Sequence, residues 1–234
     1  MAVDGVLASF ADGVWLASDP VRIVGMRLTA TMALLRLGDG ALLAYSPVAL
    51  TPERRAAVEA IGRVAHVYAP SLFHHRWAGQ WAAAFPTARV HAPARLAKRR
   101  RQLRIDRAHG AAPEPAFAGI VDEVHIDGFR LDESVLVYRP ARTLVVADLV
   151  HNVGRPQGGW TKLYTRAMGF YDRVALSRMI RWVGFSDRAA ARRSLDRLLA
   201  LPFDRLVVGH GTPLDDGARA AMAAAYAWLP PASG

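Results

Sequence analysis

Tyr68-Ala69-Pro70-Ser71-Leu72-Phe73-His74-His75-Arg76-Trp77-Ala78-Gly79-Gln80-Trp81 reads as a strand end, a loop and a helix start in succession. Just upstream, Val64 to Tyr68 is rich in β-branched and aromatic residues, the composition of a short buried strand. Pro70 and Ser71 break it. Trp77, Trp81 and Phe85 then recur at helical spacing and place a helix start near Arg76. His74 and His75 therefore fall in the connecting loop. Adjacent rings point apart in a helix or strand, whereas irregular backbone lets both turn toward one point. Holding an ion takes further imidazole or carboxylate donors. The chain carries candidates far downstream: Asp148 with His151, and His210 between two glycines.

The chain has 234 residues, 52% of them hydrophobic, enough for a full core in one domain spanning 1–234. A mean hydropathy of +0.11 speaks for a globular chain rather than a disordered one. No apolar run reaches the ~18 residues of a membrane span, so no transmembrane segment is expected. Met1 to Ser9 lacks the basic and long apolar regions of a secretory signal, which makes a cytoplasmic location the expectation. The absence of cysteine excludes disulfides and thiolate ligands and leaves His, Asp and Glu for any metal. The net charge is +10, from 30 Lys plus Arg against 20 Asp plus Glu, and Lys98 and Lys162 are the only lysines. Arg- and Ala-rich usage of this kind reads first as genome composition, although a positive surface also favours an anionic substrate. Lys98-Arg99-Arg100-Arg101 reads as a solvated helix face, with a phosphate-contacting patch as the alternative. No zinc-finger, RNP or helix-turn-helix pattern accompanies it, so nucleic acid is not an expected partner.

Along the chain, strands are expected over 13–17, 27–37 and 41–45, the last two turning at Gly38-Asp39-Gly40. Thr51-Pro52-Glu53 opens a capped helix that runs to Ile61. A strand over 88–92, a basic helix over 93–104 and a Pro- and Ala-rich connection over 109–119 follow. Three strands are then expected over 123–126, 133–138 and 143–147. A helical pattern with interleaved aromatic and basic residues covers 161–185. Ser186-Asp187 caps a further helix over 188–200. Arg205 to Val208 is a buried strand ending in Gly209-His210-Gly211, and a last helix covers 216–228. Two sheets with outer helices accommodate this order.

The order of segments resembles the metallo-β-lactamase superfamily: a strand-turn-strand around Gly38-Asp39-Gly40, a histidine-bearing strand-loop-helix, a strand ending at Asp148, and a strand ending at His210. The resemblance is to a divergent branch with a His-His metal loop. It implies an α/β fold, the αβ/βα four-layer sandwich, as a single domain. The family's first metal loop reads His-x-His-x-Asp-His. Laying His75 on its last histidine puts His74 on the aspartate, Leu72 on the second histidine and Pro70 on the first. The next family histidine falls near Phe129-Arg130 and is missing, whereas Asp148 and His210 match the bridging aspartate and the last histidine. The resemblance thus implies a mononuclear site held by His74, His75, Asp148 and His210, with zinc favoured and iron or manganese also suited.

Asp148 and His151 are the expected catalytic residues, Asp148 as ligand or water-orienting group and His151 as proton shuttle or leaving-group acid. The implied activity is metal-dependent hydrolysis of a small-molecule ester, amide or phosphoester. Two other readings stand beside it, an inactive binding or sensing protein and a mononuclear-iron oxidoreductase. A homodimer is compatible with the aromatic helices. His66, His91, His109 and His125 are expected to be structural, because nothing in the order of segments brings them to the site.

Overall fold

The computed structural model describes residues 6–156 and 158–230. Among them, seven strands form one sheet in sequential order: β1 (Ala8–Ala11), β2 (Val14–Ile23), β3 (Met26–Arg36), β4 (Leu42–Tyr45), β5 (Val64–Tyr68), β6 (Arg89–Ala92) and β7 (Arg107–Ala108). A second sheet has four strands, β8 (Val121–His125), β9 (Ser134–Tyr138), β10 (Thr143–Val145) and β11 (Arg205–Val207), in the order β11-β10-β9-β8. The helices are α1 (Pro52–Ile61), α2 (Ala78–Ala84), α3 (Leu96–Arg99), α4 (Gly159–Ala167), α5 (Arg178–Val183), α6 (Arg188–Ala200) and α7 (Ala218–Ala225).

Three hydrophobic layers hold these elements together. Val58 of α1 and Ala78 and Trp81 of α2 pack on the outer face of the large sheet. Leu195 and Leu198 of α6 and Met222 of α7 cover the outer face of the small one. Leu16, Leu35, Leu43, Tyr45 and Tyr68 meet Leu136, Tyr138, Val145 and Val207 between the sheets. The result is the expected four-layer αβ/βα sandwich. Trp81 is fully buried and its indole donates to the Val48 carbonyl at 2.8 Å, so the largest side chain of the outer layer loses no hydrogen bond on burial.

Parallel pairing positions the site. β4 pairs with β5 and β10 with β11, both parallel, so the chain leaves each pair at a common end. Ser46 and the His74 loop follow the first pair, and Asp148 and His210 follow the second.

Three elements differ from expectation. β2 and β3 form a ribbon paired from Val14↔Leu35 to Ile23↔Met26, in which β3 has the expected length and β2 runs well beyond the strand expected over 13–17. Its turn, Val24-Gly25, has positive φ at both residues and lacks the usual Asn-Gly or Asp-Gly signal. Pro20 lies inside β2, beyond the stretch that β1 pairs, where its missing N–H removes no ladder bond. The basic helix expected over 93–104 shrinks to Leu96–Arg99. Like charges at positions 98 and 101 oppose its continuation, and the chain turns away toward β7. The pattern over 161–185 divides into α4 and α5, because Gly169 and Asp172 adopt positive φ between them.

Candidate metal centre

The loop after β5 is shaped by Ser71, a fully buried residue whose hydroxyl accepts from the backbone N–H of Phe73 and His74 at 3.2 and 3.1 Å. The small sheet grips the same loop, since Leu72 N–H donates to Leu131 O at 2.9 Å and Ser134 N–H to Pro70 O at 3.0 Å. The turn sends the two histidines apart. His74 reaches inward to Asp148 and His210. His75 instead lines a cavity of about 620 Å³ with Arg76, Gly79, Lys98, Arg99, Arg100 and Arg101. The structure therefore brings together three of the four expected ligands and does not bring His75 to them.

His74 Nε2 lies 3.1 Å from His210 Nε2 and 3.4 Å from Asp148 Oδ1, and His210 Nε2 lies 3.6 Å from the same oxygen. Donors around a tetrahedral zinc at 2.0–2.1 Å stand roughly 3.3–3.4 Å apart. The observed triangle therefore has nearly the size of one face of such a set. The donors are buried, with side-chain exposures of 8, 11 and 7% for His74, Asp148 and His210.

Each ring is held from behind. His210 Nδ1 lies 2.7 Å from Thr29 O, and since a carbonyl only accepts, this nitrogen carries a proton and Nε2 faces inward. His74 Nδ1 lies 2.8 Å from Ser46 Oγ, which accepts the ring proton when Nε2 serves as the inward donor. Glycine is required on both sides of His210. A Cβ at Gly209 would stand 2.6 Å from Ala147 O and 2.8 Å from His74 Cε1. At Gly211, where φ is +111°, a Cβ would collide with the Asn152 carbonyl.

Behind Asp148 lies Glu133, fully buried, whose carboxylate accepts from the backbone N–H of Ala147 at 2.8 Å and of Asp148 at 2.9 Å. Burial first, then the Asp148 charge, pushes the Glu133 carboxyl up from its ordinary range. Burial works in the same direction on Asp148, but the imidazoles of His74 and His210 more than offset it and hold that carboxyl well below its ordinary value. Burial also opposes protonation of His210, and the Asp148 carboxylate outweighs it, so the His210 pKa is raised.

His151 stands at the same rim, as expected. Its ring centroid is 5.6 Å from that of His210 and 5.6 Å from that of Phe170, and its backbone exchanges two 3.0 Å hydrogen bonds with Ala175. Burial lowers its pKa to about 4 and leaves a neutral ring near neutrality, with Nδ1 lacking a hydrogen-bond partner among the described residues. Asn152 gives its side-chain amide to Thr212 O at 2.7 Å, which ties the Asp148 loop to the His210 loop. Sequence reasoning passed over Glu133. A glutamate at a strand start carries no signature, and only its placement under the Asp148 turn reveals it.

Against solved structures, the chain superposes on a DIM-1 metallo-β-lactamase exposed to ceftazidime with a TM-score of 0.64, at 12% identity over 96% of this chain and 97% of that one. The FIM-1 metallo-β-lactamase from Pseudomonas aeruginosa, in a mono-zinc form, gives 0.61 at 12% identity, covering 96% of each chain. The chain has the metallo-β-lactamase fold. That fold also appears in the Flv1 flavodiiron core from Synechocystis sp. PCC6803, with a TM-score of 0.68 at 12% identity over 95% of this chain and 60% of that one. No protein-family profile and no curated sequence matches the chain. Within this fold, His74, Asp148 and His210 form a group that could hold a metal ion. No helix of the described residues is long and apolar enough to cross a membrane.

Proposed function

We propose that the chain is a single-ion hydrolase of small anionic esters, with phosphoesters favoured. The observation that carries the reading is the His74–Asp148–His210 triangle, whose edges have the size of a tetrahedral ligand face and whose rings are locked from behind. The set of two imidazoles and one carboxylate suits zinc, with iron or manganese as further candidates. A divalent ion held there supplies Lewis acidity and a water of lowered pKa. In the chain itself, Glu133 holds the Asp148 backbone in place, and Ser46 and Thr29 keep both rings turned inward. His151 is a neutral imidazole at the rim, suited to accept a proton from an incoming water at its ring nitrogen rather than to donate one as an imidazolium. One residue along from His74, the cavity lined by Arg76, Lys98, Arg99, Arg100 and Arg101 concentrates positive charge where an anionic substrate would be drawn in.

Elemental analysis of the chelator-free protein beside the His74→Ala/His210→Ala variant tests the ion. Uptake that falls by one equivalent in the variant supports the site, and its chemical identity separates zinc-dependent hydrolysis from iron chemistry. A panel of carboxylic and phosphoric esters tests the reaction. Turnover equal in both proteins would end the proposal, and metal uptake without turnover on any ester would turn the reading toward a binding protein.

A further inference from the structure

A second group of ligand-type side chains lies away from this centre. His66 on β5, His91 on β6 and Glu114, just before a single 3-10 turn at Pro115–Phe117, each bring one donor atom within 4.8 Å of the others. They are 4, 0 and 5% exposed. Strand alternation puts His66 and Tyr68 on one face of β5, and the parallel register sets His91 beside Tyr68. Phe117 closes over both rings, with centroids 5.3 Å from His66 and 5.5 Å from His91. We propose that His66, His91 and Glu114 form a second binding site for a zinc-like divalent transition ion, independent of the centre at His74.

The donor chemistry selects the class of ion. Two imidazoles and a carboxylate match zinc or cobalt, whereas calcium and magnesium take oxygen ligands. The rings stand ready as neutral donors. His66 Nδ1 and His91 Nε2 are 2.9 Å apart and share one proton in a hydrogen bond, while His91 Nδ1 has no hydrogen-bond partner among the described residues. Burial lowers both pKa values, that of His91 to about 3, so each ring is neutral near neutrality, and the bridging proton moves to the far nitrogen of its ring when an ion enters. Parting the two nitrogens by a few tenths of an ångström reaches the roughly 3.3 Å edge of a tetrahedral set. A positive charge already stands at this place. Arg89 pairs with Glu114 at 2.8 Å, and its side chain is 48% exposed, so it can swing to solvent when an ion takes the carboxylate. Arg89 is thus the competitor an entering ion displaces.

The test is a cobalt(II) and zinc titration of the chelator-stripped full chain in the His74→Ala/His210→Ala background. One equivalent should bind, with the visible absorption of a low-coordinate cobalt site. Glu114→Gln, which keeps the shape but removes the anionic donor, should weaken it by at least about tenfold, the least that even the loss of an outer-shell partner costs. Arg89→Ala should tighten it several-fold, a change that a purely structural network would not produce. His91→Phe should abolish uptake, with circular dichroism and a melting curve to establish that the variant folds. No uptake in the double variant, or uptake indifferent to Glu114→Gln and Arg89→Ala, overturns the proposal. An unaltered equivalent at the His74 centre in wild type would leave the hydrolase reading standing in either case.

Discussion

The two histidine clusters are built on opposite plans. The His74 cluster gathers side chains from loops beyond the ends of parallel strand pairs, and its two rings are each fixed by an oxygen behind them, Ser46 Oγ and Thr29 O. The rings of the His66 cluster sit on the strands themselves, bonded to each other and packed against Phe117, which meets His66 edge-on and His91 at a tilt. Loop-end donors have rigid backing and lie past the strand ends, where the proposed reaction would need a substrate to share the ion. Strand-borne donors are enclosed, and an ion there would brace the sheets rather than meet a substrate. The contrast separates a site arranged for exchange from one arranged for retention.

The most damaging way to break the comparison is His210→Ala. Metal uptake at the loop-end centre and any ester turnover should fall by more than about 100-fold, beyond the range for outer-shell groups. Equilibrium dialysis with zinc and the ester assay report both, and an unchanged affinity would remove the centre. Acid should next act on the buried histidines, His91 of the enclosed cluster and His151 beside the loop-end centre. The depressed folded pKa values of His91, about 3, and His151, about 4, mean that the unfolded chain binds more protons below about pH 6.5. These two groups should therefore contribute stability that is fullest above that pH and falls toward pH 4, by about 1.4 kcal/mol per unit for each group, while Glu133 and His210, whose pKa values are raised, contribute with the opposite sign. Urea melts at stepped pH measure this slope, and His91→Phe should flatten it. A slope left unchanged by His91→Phe would contradict the burial argument.

Glu133→Ala asks how far the loop-end centre depends on its backing. Two buried backbone donors, Ala147 N–H and Asp148 N–H, lose their acceptor, which should cost about 2–4 kcal/mol in chemical denaturation. Metal affinity should drop with it, and Glu133→Gln should restore part of both. The mildest change is Ser46→Ala, which frees one face of the His74 ring and should weaken metal binding about tenfold with little loss of stability. Equal effects on affinity and melting would show that the hydroxyl serves packing instead.

Much of the fold was open to reading because local signals agree with it. Thr51 with Pro52 and Asp187 mark helix starts that the structure reproduces, with side-chain caps to Arg54 and Ala190 backbone N–H groups. The long ribbon was under-read because Pro20 and Val24-Gly25 carry no hairpin signature. In the candidate centre, His74, Asp148 and His210 were legible as residues just past strand ends. The divergence of His75 was not, because it depends on Ser71 closing a turn around two backbone amides. His66 and His91 lie away from the candidate centre, and their meeting with each other was hidden for the same kind of reason. They meet through the register of β5 against β6, which chain order does not disclose.

The β2–β3 ribbon is tethered twice over. Its tip is fastened to α4, where the Trp160 indole donates to Val24 O at 2.9 Å and Arg27 N–H to Thr161 Oγ1 at 3.1 Å. Its middle is fastened to the His210 loop, through Thr29 O and the Thr31 N–H bond to Gly209 O at 2.9 Å. The ribbon is therefore a beam with the centre hung from its span. A displacement at Thr29 tilts the His210 ring, and by reciprocity whatever stiffens His210 stiffens the ribbon. The orientation of the His210 ring and the stiffness of the ribbon are then two readings of one mechanical coordinate.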